Sequence, residues 1–190
     1  MSSALIIIDL IQDIVGPKGR INQSRTQSIS RNILEHSNTV AAYARVRKIP
    51  VIWVRIGFED DYHDIPAHSP LFNKIKILGA LRLNNGGTQW IEGLDVQEQD
   101  KIVIKKGVSA FAGNDLLEWL KKHHYYRLLL GGVSSNMAIE STARQAHDLG
   151  FQVTVLEDLC AAATLESHQL SMENLTYLAE VMTSEQWMNG

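Results

Sequence analysis

Three short apolar runs, each ending at a residue with chemistry to offer, constrain this chain more than any other feature. Ile6-Ile7-Ile8 stops at Asp9, and Ile102-Val103-Ile104 stops at Lys105. Leu128-Leu129-Leu130 passes through Gly131-Gly132 into Val133-Ser134-Ser135, where a helical stretch opens. All three are strand-like, and the first, over residues 4–9, reads as a strand buried on both faces, as in a parallel sheet. The carboxyl ends of such strands form one rim, and ligands bind along it. A carboxylate, an ammonium and a helix N-terminus would therefore converge. The group lacks a nucleophile, because the first helical turn reads Asn136-Met137-Ala138, with no Cys or Ser at its third position.

The remaining elements alternate. Residues 4–9 predict the first strand. Residues 28–47 predict a helix, with Ile29, Ile33, Val40, Ala44 and Val46 at roughly helical spacing, and Pro50 marks entry to a second strand at 51–56. Residues 60–87, rich in Pro, Gly, His and Asn, predict a long irregular loop, which at this length is functional or an interface element. A third strand follows at 101–105. Asn114 is placed to cap a helix over 115–124, since its side-chain carbonyl can accept a bond from a first-turn amide. A fourth strand at 127–132 leads to a helix over 135–149 closed by Gly150, and a fifth strand covers 151–157. A helix at 167–177 and a short strand at 179–182 precede a terminal turn. The alternation predicts one doubly wound, Rossmann-like α/β domain over residues 1–190, with helices on both faces of the sheet.

Composition excludes several functions. The 190 residues are 45% hydrophobic, enough to bury a two-sided sheet without disulfide or metal. A net charge of −3 argues against a nucleic-acid partner, which calls for a concentrated basic surface. No apolar run reaches the ~20 residues of a membrane span. The single Cys160 has no disulfide partner in the chain and no export signal is evident, so a cytoplasmic location is expected. The seven histidines show no ligand spacing, and Cys160 reads as a small buried apolar residue.

Four segments together resemble the isochorismatase-like, or cysteine hydrolase, superfamily: Leu5–Asp9, Ile104–Phe111, Gly132–Arg144, and Glu157-Asp158 with Ala161-Ala162-Ala163. The resemblance implies a six-stranded parallel sheet in the order 3-2-1-4-5-6. It gives Asp9 the family's aspartate role and Lys105 its lysine role, and it sets Ala138 where most members carry the catalytic cysteine. It also implies a cis peptide at Val133-Ser134 and a homodimer or homotetramer. In such a sheet, strands one and three lie roughly 10 Å apart, a gap that a lysine side chain largely bridges.

Ala138 decides the mechanism. A methyl group has no lone pair, so the thiolate attack of an amidase is excluded for this chain. Some members without the cysteine hydrolyse isochorismate, a vinyl ether, with the aspartate as acid. The expected activity is therefore metal-free hydrolysis of a small carboxylated substrate, without cofactor. The contacts expected for that substrate are Val133, Ser134, Met137, Phe111 and Arg55, with the amides of residues 134–138 seating an anion.

Several readings stay open on sequence. Asp9 is either the acid or a turn cap, and burial would raise its pKa while a close Lys105 would lower it. Arg55 is either an anion contact or a member of an ordinary salt bridge. Ala138 is either native to a cysteine-free branch or introduced to trap a substrate, and the pocket is either catalytic or only binds ligand. Strand alternation turns Lys105 inward and Lys106 outward. The Asp-x-His metal pattern of nicotinamidase-type members would fall at Arg55-Ile56-Gly57-Phe58, so no metal is expected.

Overall fold

The first strand, β1 (Ser2–Ile8), organises the molecule through its alternation. Ala4, Ile6 and Ile8 enter the core on one side of the sheet, and Leu5 and Ile7 enter the core on the other. Both sets are removed from water, which is why Ala4–Ile8 carries no polar residue, whereas Ser2 and Ser3 lie at the less buried start of the strand. The structure, a computed structural model, describes residues 2–190.

Five further strands complete an all-parallel sheet: β2 (Val51–Ile56), β3 (Lys101–Lys105), β4 (Tyr125–Val133), β5 (Gln152–Ala161) and β6 (Glu180–Met182). Their order is β3-β2-β1-β4-β5-β6, as the resemblance implies. β1 pairs with β2 through Ile8↔Val54 and with β4 through Ile8↔Gly132, so Asp9 leaves the sheet between their two carboxyl ends. The order reverses at β1, which makes this a topological switch point and the natural crevice for a ligand.

Eight α-helices are present among the described residues. α5 (Leu116–Lys122), α6 (Glu140–Asp148) and α7 (Leu165–Leu175) pack on one face through Leu116, Leu120, Ala143, Ala146, Met172 and Leu175. α3 (Ile33–Val46) covers the other with Ile33, Val40, Ala41 and Ala44, joined by Trp187 of α8 (Ser184–Asn189). Short α1 (Gln12–Val15) and α2 (Arg25–Ser30) lie between β1 and α3.

Four expectations need correction. The helix expected over 28–47 is two helices, broken at Asn32, whose φ of 52° is left-handed. Ile29 and Val46, counted toward its apolar stripe, are exposed. The loop expected over 60–87 contains α4 (Pro70–Leu78), started by Ser69, whose Oγ accepts from the Phe72 amide, and stopped by Gly79 at φ 63°. β5 runs on to Ala161, so Cys160 is a strand residue, fully buried. The terminal turn is α8, held by a capping box between Thr183 and Gln186. Asn114 lies one residue before the N-cap, Asp115, and its Oδ1 accepts the first-turn bond expected of it, from the Leu116 amide at 2.9 Å.

Candidate active site

Asp9 ends β1 with φ 60°, a conformation that Asp tolerates better than most residues. This turns its carboxylate across the rim. Oδ1 accepts from the Ile56 amide at the end of β2, at 2.8 Å. Oδ2 lies 2.8 Å from Lys105 Nζ, which has crossed from the end of β3 and also donates to the Val108 carbonyl at 2.5 Å. The two side chains are 5% and 1% exposed, so the ion pair is sealed from bulk water. Burial holds the Asp9 carboxyl above the ordinary carboxylate range, outweighing the Lys105 charge and hydrogen bond and the Ile56 amide. The competition left open by sequence is thus won by desolvation. Lys106 points away from the pair, as alternation requires, and bonds Asp64 and the Gly57 carbonyl.

The opposite wall is built by the end of β4. Gly132 adopts φ 117° and passes so close to β1 that a Cβ would lie 2.1 Å from the Ile8 carbonyl oxygen. The Val133–Ser134 peptide is cis. The helix expected over 135–149 opens as a π-helical turn, Ser135–Ile139, before continuing as α6. The Ser134 carbonyl accepts from the Met137 and Ile139 amides, so Met137 N–H is already engaged and does not serve as an anion donor.

A buried polar chain anchors this turn. Ser135 Oγ is 2.7 Å from His168 Nδ1 on α7, and His168 Nε2 is 3.2 Å from Glu157 Oε2 on β5. Arg31 closes the chain, donating to Glu157 Oε2 at 2.8 Å and to the Cys160 carbonyl. The His168 bond and Arg31 hold the Glu157 carboxyl below the ordinary glutamate range against its burial. Ser135 itself is fully buried, so the chain ties helix to sheet and exposes no hydroxyl to a ligand.

Asp9, Lys105, Val133, Ser134, Met137 and Ala138 line one cavity of about 280 Å³. Two expected contacts do not. Phe111 packs into the core and stacks on Phe151, ring centroids 6.1 Å apart. Arg55 falls on the Trp53 side of β2, opposite Ile56, which does line the cavity. Its guanidinium donates to the Thr88 carbonyl and sits over the Trp90 ring, so it is neither an anion contact nor half of a salt bridge.

Sequence reasoning missed the far wall, where α4 supplies Leu71, Phe72, Lys74, Ile75 and Leu78. The signal was present as Ser69-Pro70 before the stretch, Gly79 after it, and apolar residues at helical spacing between. As for metal, no His or Cys lines the cavity, and the Lys106 ammonium holds the Gly57 carbonyl just beyond β2. The donors present there do not suit a metal ion.

The isochorismatase domain family matches residues 3–186. The chain belongs to the isochorismatase family of hydrolases. It is 30% identical to YecD, an isochorismatase family protein of Escherichia coli O157:H7, over all of this chain and 96% of that protein. It is 28% identical to the ureidoacrylate amidohydrolase RutB of Klebsiella pneumoniae, over 82% of this chain and 72% of that one. Among solved structures, an isochorismatase-like hydrolase from Alkaliphilus metalliredigens superposes with a TM-score of 0.82 at 25% identity, covering 100% of this chain and 98% of its own. No helix among the described residues is long and apolar enough to cross a membrane.

Proposed function

We propose that this isochorismatase-family hydrolase cleaves the vinyl ether bond of a small carboxylated substrate such as isochorismate, with Asp9 as general acid. The observation that carries the reading is a buried carboxyl, raised by desolvation, on a cavity wall shared with the inert methyl of Ala138. Enol ether hydrolysis needs an acid and a water, and no protein nucleophile. Asp9 delivers a proton to the terminal enol carbon, which leaves an oxocarbenium ion. Water adds to that ion, and the hemiketal collapses to a ketone and an alcohol. A substrate carboxylate arriving beside Asp9 disfavours its ionised form further, so binding itself loads the acid. Lys105 orients the carboxyl and carries the balancing charge once the proton has left. Val133, Ser134 and Met137 position the substrate.

The test is pyruvate release from enolpyruvyl ethers, isochorismate among them, by the wild-type chain and by Asp9→Asn. The reading predicts release that falls at least a hundredfold in the variant, the loss typical of a missing general acid. Release undiminished by Asp9→Asn, or none from any enol ether, contradicts it.

Two findings favour a second reading: the Asp9–Lys105 pair stands intact in the cavity that Ala138 also lines, and relatives include amidohydrolases. On that reading the chain is an amidohydrolase scaffold that lost its nucleophile, and Ala138→Cys creates amidase activity. We also propose that the chain assembles as a homodimer or homotetramer, since Ile77 and Tyr177, outside the cavity, expose most of their apolar surface. Light scattering that finds only a 21.3 kDa species would contradict this.

A further inference from the structure

Enol ether chemistry fixes only the reacting atoms, and the cavity wall bears on the rest of the substrate. The polar side chains lining it are Asp9, Gln23, Ser24, Lys74, Lys105 and Ser134, and every other lining side chain is aliphatic, aromatic or Met. Lys105 is committed to Asp9. Lys74, exposed on α4, makes no ion pair among the described residues, and no Arg reaches the cavity. One uncommitted cation balances one carboxylate. A second carboxylate, such as isochorismate carries, finds no second cation on this wall, only the neutral Gln23, Ser24 and Ser134, and so binds less tightly than an apolar group. An apolar group on the same wall gains affinity roughly fourfold for each methylene buried.

We propose that the preferred substrate is a monocarboxylate with an aliphatic or aryl body, namely the enolpyruvyl ether of an apolar alcohol. Its body lies on Leu71, Phe72, Ile75 and Leu78 of α4, and its carboxylate is met by Lys74. The reactive group rests on the vinyl ether reading above, whereas the apolar body rests on the lining alone. The balanced reaction is CH2=C(COO−)–OR plus water giving pyruvate plus ROH. The new C–H bond takes its proton from Asp9, and water replaces that proton as the hemiketal C–O bond to OR breaks.

Binding and turnover separate the two claims. Calorimetric titration with saturated ligands, which cannot react, tests the pocket: 2-benzyloxypropanoate, 2-methoxypropanoate, and the benzyl ligand carrying a second carboxylate on its ring. The benzyl compound is expected to bind at least about tenfold tighter than the methoxy compound and than the dicarboxylate. Leu78→Asn, at a half-exposed position whose change leaves the core intact, is expected to cut benzyl affinity about fivefold. Lys74→Gln is expected to cut the affinity of all three ligands about threefold. Equal binding of the benzyl and methoxy ligands, tighter binding of the dicarboxylate, or no binding of any of them overturns the inference. Pyruvate release from 2-benzyloxyacrylate is measured alongside. Binding as expected without pyruvate leaves the pocket inference standing and removes the vinyl ether reading. Rapid turnover of isochorismate with no benzyl binding does the reverse.

Discussion

Replacing Lys105 by Met removes the ammonium from a pair whose charged atoms lie 2.8 Å apart with almost no solvent contact. At an effective dielectric near 20, the attraction lost is about 6 kcal/mol. Most of that attraction offsets the several kcal/mol spent in desolvating each ion, so the intact pair adds little beyond an apolar pair of similar size. Removing one partner is different, because Asp9 then stays buried and uncompensated. The expected cost is about 3–5 kcal/mol, which in a chain of this length lowers Tm by roughly 6–20 °C. The cost depends on pH. Without Lys105, burial acts unopposed by that charge and raises the Asp9 carboxyl further. A folded-state pKa above the unfolded 3.8 means that the native state holds a proton the unfolded chain has released. Stability is therefore complete below the unfolded value and declines as pH rises through the folded one. Urea denaturation followed by tryptophan fluorescence should show a large deficit at pH 8 and a small one at pH 5. The double variant Asp9→Asn/Lys105→Met, which keeps a residue tolerant of φ 60° and an acceptor for the Ile56 amide, should recover most of the loss at pH 8. A deficit equal at both pH values, or a double variant as unstable as the single, would refute the reasoning.

Two further outcomes follow from the same geometry. Gly132→Ala sets a Cβ 2.1 Å from the Ile8 carbonyl oxygen at a φ of 117°, and should cost more than about 2 kcal/mol in a denaturant titration or prevent folding. A change within 0.5 kcal/mol would show that β1 and β4 are not held so closely. His168→Ala strands Ser135 Oγ and weakens the tie to Glu157, and should cost about 2–3 kcal/mol at neutral pH. Because Glu157 is held below its ordinary value of 4.5, the stability it contributes is present above that value and is lost as pH falls through the depressed one. Wild-type urea midpoints should therefore drop between pH 5 and 3.5 more than those of His168→Ala, and parallel losses would count against the bond.

Much of the fold was legible because central parallel strands buried on both faces leave continuous apolar runs, as β1 and β4 do, and the edge strand β3 keeps a short apolar run although Ile102 is exposed. The two side chains proposed to carry the chemistry were legible because Asp9 and Lys105 are the polar residues at which two apolar runs stop. What was not legible depended on three-dimensional competition. Asn32 breaks a plausible helical stripe by taking a left-handed φ, which moves Ile29 to the surface. Arg55 and Phe111 lie near the rim in sequence, but strand alternation sends Arg55 to the other face and core stacking claims Phe111. The α4 wall was hidden within a stretch whose Pro, Gly and Asn content reads as irregular, although its caps are ordinary ones. That wall supplies the apolar side of the cavity, so the residues proposed to select the substrate were the least visible in sequence.

The central claim is that Asp9 places a proton on the enol carbon. Hydrolysis of an enolpyruvyl ether in D2O, with early mass analysis of the pyruvate formed, tests it most directly. The account predicts one deuterium in the methyl group from the wild-type chain and no product above background from Asp9→Asn. A methyl group without deuterium, or labelled pyruvate formed equally fast by Asp9→Asn, would contradict it.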